Sequence, residues 1–109
     1  AVSVGEYDQW FKNYAADYDG IVHVNIGSEF SCSYQNACLA AEEYDNVRVV
    51  DSRNLSSGQG LVVLQVCKLA QQCDSLDELH QKALSASVPT DKKAAEGSAL
   101  GYGVQIIKK

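Results

Sequence analysis

Ile21-Val22-His23-Val24-Asn25-Ile26-Gly27-Ser28-Glu29-Phe30-Ser31-Cys32-Ser33 is the stretch on which the fold turns. Its first six residues alternate as a strand does, with Val22, Val24 and Ile26 on one face and Ile21, His23 and Asn25 on the other. β-Branched side chains at four of those positions fit a pleated backbone. Residues 27–33 form a short, hydroxyl-rich connection, after which Tyr34, Ala37, Cys38, Ala41 and Glu42 recur at helical spacing as far as Tyr44. Asp45-Asn46 then turns the chain into Val47-Arg48-Val49-Val50-Asp51, a second strand. Strand, helix and strand in that order predict a right-handed crossover between parallel strands. The expected class is therefore α/β, a partial parallel sheet flanked by helices.

Upstream, Ser3-Val4-Gly5-Glu6 has the capping-box spacing, in which a serine and a glutamate satisfy two orphan backbone donors reciprocally. Tyr7, Trp10, Phe11, Tyr14, Ala15 and Tyr18 follow at intervals of three and four, so the helix that starts there presents an aromatic face for burial, either as core or as a stacking surface for a ligand. Asp19-Gly20 ends it. Downstream, a Ser/Asn/Gly-rich loop over residues 52–60 leads into an apolar stretch, residues 61–73, whose length predicts a helix buried on most sides. Ser75-Leu76-Asp77-Glu78 repeats the capping-box spacing, and Leu76, Leu79, Ala83 and Leu84 supply the inner face of a further helix. Beyond Ser85 the pattern weakens. Val88-Pro89-Thr90-Asp91 reads as a strand end and turn, residues 94–103 are rich in alanine and glycine, and Val104-Gln105-Ile106-Ile107 reads as one more strand.

Composition narrows the function classes. The 109 residues make about one domain, too few for two. Fourteen acidic residues against nine basic ones leave a formal charge of -5, and no cluster of lysine and arginine interrupts it, so no nucleic-acid partner is expected. No apolar run approaches the roughly 18 to 20 residues of a membrane span, and no basic start with an apolar stretch marks a signal peptide. The expected location is cytoplasmic. Cys32, Cys38, Cys67 and Cys73 fall in two pairs with five residues between members, a spacing unlike redox or zinc motifs. They are expected to be reduced thiols packed as small apolar residues, with no metal and no cofactor.

The chemistry-bearing candidate is the loop after the first strand. Ser28, Ser31, Cys32 and Ser33 lie where a strand ends and a helix begins, so hydroxyls and free N–H groups meet the positive end of the helix dipole. Ligands of open α/β sheets bind at that edge. The pattern predicts an anion site, although a serine-rich helix start also serves as a plain N-cap. His23, beside Asn25, reads either as a hydrogen-bonded structural histidine or as a pocket-lining one, and His80 as solvated surface. Neither histidine is brought beside a serine with an orienting acid, so no catalytic residue is assigned. A phosphate-binding Walker loop and a dinucleotide glycine pattern are both absent; Ser57-Gly58-Gln59-Gly60 has only Gly-x-Gly.

At these positions the chain resembles the DegV family. Val2-Ser3-Val4-Gly5-Glu6-Tyr7 is similar to the end of a Thr-Ser-Gln-Pro-Ser segment and the helix after it. Ile26-Gly27-Ser28-Glu29-Phe30-Ser31-Cys32-Ser33-Tyr34-Gln35-Asn36-Ala37 is similar to Ile-Ser-Ser-x-Leu-Ser-Gly-Thr-Tyr-Gln-Ser-Ala. Val49-Val50-Asp51-Ser52, followed by Ser57-Gly58-Gln59-Gly60-Leu61, resembles Val-Ile-Asp-Ser, a loop and Gly-x-Gly before a long apolar helix. The three motifs cover about residues 2–84 in the family's order. Cys32 stands where the pattern has glycine, and Ser33 where it has threonine.

The resemblance implies a two-lobed protein that encloses a long-chain fatty acid and presents it to a separate fatty acid kinase, without catalysis of its own. Ser31 would bond the carboxylate, helped by the backbone N–H of Cys32, by Ser28 and by the hydroxyl kept at Ser33. On this reading residues 1–109 are an incomplete N-terminal lobe. Residues 85–109 lack the Gly-Gly-Arg stretch expected among them, which points to an interruption there. The alternatives are a lobe of another α/β hydrolase or transferase, with its base supplied from elsewhere, and a structural fragment without ligand.

Overall fold

The computed structural model describes residues 1–86 and the backbone of 104–108. Within them the order is α1 (Val4–Ala15), β1 (Gly20–Asn25), α2 (Ser33–Ala41), β2 (Val47–Asp51), α3 (Ser57–Ala70), α4 (Leu76–Ala86) and β3 (Val104–Lys108). The α/β architecture is the one expected, and the last strand falls where Val104-Gln105-Ile106-Ile107 was read. The expected turn at 88–91 and the stretch 94–103 lie outside the described residues.

The sheet runs β2-β1-β3. β1 and β2 are parallel, in register from Ile21↔Val47 to Asn25↔Asp51. β3 lies antiparallel on the other side of β1, from Gly20↔Lys108 to Val24↔Val104. β1 is thus the central strand, and all six of its residues are buried although two are polar. Its two faces found two cores. Val22, Val24 and Val50 meet Val62 and Val66 of α3, Cys73, and Leu79 and Ala83 of α4. Ile21, Val47 and Val49 meet Tyr7 and Phe11 of α1 and Ala37 and Ala40 of α2.

The helix starts follow the capping chemistry. The Glu6 N–H donates to Ser3 Oγ at 3.2 Å and the Glu78 N–H to Ser75 Oγ at 3.1 Å, while Glu78 Oε2 accepts from the Asp74 N–H at 3.4 Å. Asn46 fixes the entry to β2 by donating to the carbonyls of Ala15 and Tyr18.

Four expectations about burial need correction, and the first three fail for one reason. A run of apolar residues says nothing about how many neighbours are available to cover it. α3 buries Gln59, Val62 and Val66 against the sheet and leaves Leu61 68% and Leu64 61% exposed, so it is not buried on most sides. In α1 only Tyr7 and Phe11 are buried; Trp10 and Tyr14 lie outside, tilted against each other with ring centroids 5.1 Å apart. Of the cysteines, all free thiols, only Cys73 is buried; Cys38 is half-buried, and Cys32 and Cys67 are exposed. His80 is half-buried rather than solvated, its Nε2 3.1 Å from the Val49 carbonyl oxygen at the outer edge of β2.

Candidate functional site

Because β1 and β2 are parallel and end level, at Asn25 and Asp51, the loops that follow them leave the sheet at one edge. In α/β sheets this carboxyl edge is the binding edge. The two loops are laced together. The Gly27 N–H donates to the Asn54 carbonyl at 2.8 Å. Asp51 Oδ1 accepts from the N–H groups of Ser28 (3.1 Å) and Arg53 (2.9 Å), and Oδ2 accepts from the Ser28 hydroxyl at 2.6 Å. Gly27 is required by proximity: a Cβ there would lie 2.9 Å from Phe30 Cδ2 and 3.0 Å from the Arg53 carbonyl carbon. Arg53 itself holds φ 57°, a left-handed conformation costly for a side chain with a Cβ, and its bond to Asp51 helps to keep it there. Gly27, Ser28, Glu29, Phe30, Asp51 and Arg53 line a cleft of about 330 Å³ between the loops.

The other end of the first loop forms a second cluster. The Ser33 N–H donates to Ser31 Oγ at 3.1 Å, and the Ser31 hydroxyl donates to Ser33 Oγ at 3.0 Å. Ser33 Oγ also accepts from the Val2 N–H at 3.2 Å, and Asn36 Nδ2 donates to the Val2 carbonyl at 2.9 Å. The segment before α1 is thereby held across the start of α2. Cys32, the N-cap, has φ -74° and ψ -2°, an ordinary conformation that needs no glycine, and its side chain makes no cap hydrogen bond. α2 carries no acidic residue in its first turn, so its positive end is not neutralised from within the helix.

The structure therefore brings Ser31, Cys32 and Ser33 together at the α2 N-terminus and turns Ser28 toward Asp51. The role of Asp51 was not foreseen from the sequence, although it ends the strand within the quoted Val49-Val50-Asp51-Ser52 motif. Partnership between residues twenty-three apart has no local signature.

Beneath the loop, β1 carries a buried polar group. Asn25 Nδ2 donates to Tyr7 Oη at 2.9 Å and lies 2.8 Å from His23 Nε2. Tyr7 and Phe11 meet the His23 ring edge-on, with centroids 5.2 and 5.8 Å away. His23 is thus the hydrogen-bonded structural histidine among the two readings. Burial pushes its pKa from 6.5 down to about 4, so the ring is neutral at pH 7. Among the described residues, His23 Nδ1 and Asn25 Oδ1 find no partner. With Nε2 accepting from Asn25, Nδ1 carries the proton.

On the side of α2 that meets β2, burial, a hydrogen bond to Cys38 and the charge of Asp51 push the Tyr34 hydroxyl up to about 12. Burial likewise raises the Cys38 thiol, which makes it a poor nucleophile at neutral pH. Among the described residues no group of three or more histidine, cysteine, aspartate or glutamate side chains is placed to hold a metal ion, and no helix is long and apolar enough to cross a membrane.

Comparison with known proteins gives the same address. A family model described as "Uncharacterised protein, DegV family" matches residues 1–90. A DegV domain-containing protein of Clostridium acetobutylicum is 32% identical over 95 residues, which are 85% of this chain and 34% of that protein. One of Clostridium perfringens is 34% identical over 76 residues, 68% of this chain and 27% of the relative. One of Mycoplasmopsis pulmonis is 36% identical over 85 residues, 75% of this chain and 28% of the relative. The chain spans about a third of the length of the curated relatives it matches.

Proposed function

The chain belongs to the DegV family, and on that premise we propose that it binds a long-chain fatty acid by the carboxylate at the N-terminus of α2 and presents it to a fatty acid kinase in the cytoplasm, catalysing nothing itself. The observation that carries this reading is the cluster of Ser31, Cys32 and Ser33 at a helix start whose positive end no acidic residue of its first turn offsets.

The Ser31 hydroxyl donates to a neutral oxygen, Ser33 Oγ. Turning that O–H to a carboxylate exchanges a neutral hydrogen bond for a charge-assisted one, about twice as strong. Ser33 keeps Ser31 in place through its N–H, which donates to Ser31 Oγ whichever way the hydroxyl points. N–H groups in the first turn of a helix have no intrahelical acceptor, and that of Cys32 adds a second donor beside Ser31. Ser28 shapes the loop from its other end through Asp51. The acyl chain needs an apolar surface near this edge. α3 starts at the same edge, just after β2, and leaves Leu61 and Leu64 exposed on its first two turns.

The test is equilibrium binding of a long-chain fatty acid to the chain and to its Ser31→Ala variant. Losing one hydrogen bond to a charged group costs about 1.5 to 3 kcal/mol, which corresponds to binding roughly 10 to 150 times weaker. Equal affinity in the two proteins removes Ser31 from the site, and a wild-type chain that retains no fatty acid overturns the proposal.

A further inference from the structure

β2 has β1 on one side, and no strand among the described residues lies on the other. The Ile21 N–H donates to the Asn46 carbonyl and the Ser52 N–H to the Asn25 carbonyl, so in this parallel ladder residues 46, 48, 50 and 52 turn their backbone polar groups toward β1. Val47 and Val49 turn theirs outward. Each of their carbonyls is met by one side chain, that of Val47 by Arg48 Nη1 and that of Val49 by His80 Nε2, both at 3.1 Å. Their N–H groups meet no acceptor among the described residues, although Val47 is only 4% and Val49 8% exposed. Backbone donors at buried positions are nearly always paired. These two open into a groove of about 530 Å³ walled by α2 on one side and α4 on the other. We propose that the groove is a docking site for an extended segment of a partner protein, which joins the sheet as a strand antiparallel to β2 and carries apolar residues followed by lysine or arginine.

Three features choose that occupant. First, the spare groups are those a strand uses. A carbonyl oxygen has two lone pairs, so an added strand can donate to Val47 and Val49 while Arg48 and His80 stay in place, and its own carbonyls receive the two outward N–H groups. Second, the groove is acidic at one end. Glu42 and Asp45 line it where β2 begins, and among the described residues no cation pairs with either carboxylate, because Arg48 is taken by Asp77 at 3.1 Å. Third, the walls toward the other end of β2 are apolar or weakly polar: Tyr34 and Cys38 from α2, and Leu84, 38% exposed, from α4. A strand antiparallel to β2 reaches the acidic end last, which places its basic residues after its apolar ones. The Ser31–Ser33 cluster does not line this groove, so the docked strand leaves the start of α2 uncovered.

The test is fluorescence anisotropy at low salt with labelled, end-blocked peptides: Thr-Val-Thr-Val-Lys-Lys, its counterpart ending in Glu-Glu, and two forms of the first that are N-methylated at alternate residues, one on each edge of the strand. The lysine peptide binds and the glutamate peptide binds roughly tenfold more weakly. Combining Glu42→Gln with Asp45→Asn brings the two affinities together. N-methylation of the edge that faces β2 abolishes binding, and N-methylation of the other edge leaves it intact, a pattern that only strand pairing produces. Val49→Pro deletes an N–H that β1 does not use, a change tolerated on edge strands, and weakens the lysine peptide by about two- to tenfold while the circular dichroism stays that of the wild type. Should Val49→Pro not fold, the two N-methylated peptides decide on the wild-type chain. Equal binding of the lysine and glutamate peptides, tolerance of N-methylation on both edges, or no binding of any peptide overturns the proposal. So does self-association of the chain that Val49→Pro removes, because the occupant of the groove is then a second copy.

Discussion

Acidification should unfold this protein through His23, and the size of the effect follows from its burial. The ring is 2% exposed, boxed in by Tyr7, Phe11 and Asn25, and its pKa is about 4 against 6.5 for a free histidine. The folded state thus resists a proton that the unfolded chain takes up readily. Stability is intact above pH 6.5, falls as pH drops toward 4, and stops falling from this source below that. Linkage between those two values gives a loss of about 2 kcal/mol at pH 5 and about 3 kcal/mol at pH 4. A loss of that size is a large fraction of the few kcal/mol by which a small domain is stable. The control is His23→Gln, which keeps a polar side chain but cannot be protonated. Its stability at pH 7 is lower, yet between pH 7 and pH 5 it loses about 2 kcal/mol less than the wild type. Urea unfolding followed by circular dichroism at the two pH values measures the difference. Parallel pH dependence in the two proteins would refute the assignment of His23 as a buried neutral ring.

Two further substitutions test the frame of the site and one of its helices. Gly27→Ala places a Cβ within about 3 Å of Phe30 and of the Arg53–Asn54 backbone, so it should cost roughly 1 to 3 kcal/mol in urea unfolding and weaken fatty-acid binding along with stability; a neutral effect would mean the two loops are not in contact as described. Ser75→Ala removes the oxygen that accepts from the Glu78 N–H and should cost about 1 kcal/mol, read as a lower thermal midpoint with ligand binding unchanged.

How much of this was legible in the sequence depends on how local the determining interactions are. The strands at residues 21–26 and 47–51 and the caps at Ser3 and Ser75 declare themselves through period, turn residues and spacing, and the structure places them there. The same logic located the meeting of Ser31, Cys32 and Ser33, because three consecutive residues at a helix start share one environment. It could not find the bond between Ser28 and Asp51, which exists only because two parallel strands end level. Nor could it rank the two polar residues of β1: alternation suggested a strand with one partly polar face, whereas β1 is the central strand and buries both. The exposed Leu61, Leu64 and Trp10 show the same limit from the other side, since helical period marks a face as apolar without saying what covers it.

A carboxylate held at the start of α2 would be seen in backbone amide NMR during titration with decanoate. The Cys32 amide signal should move furthest, because a hydrogen bond to a charged oxygen deshields the donor proton, and the adjacent Ser31 amide should shift with it and saturate at the same concentration. Saturating shifts centred on any other element, with Ser31 and Cys32 unmoved, would contradict it.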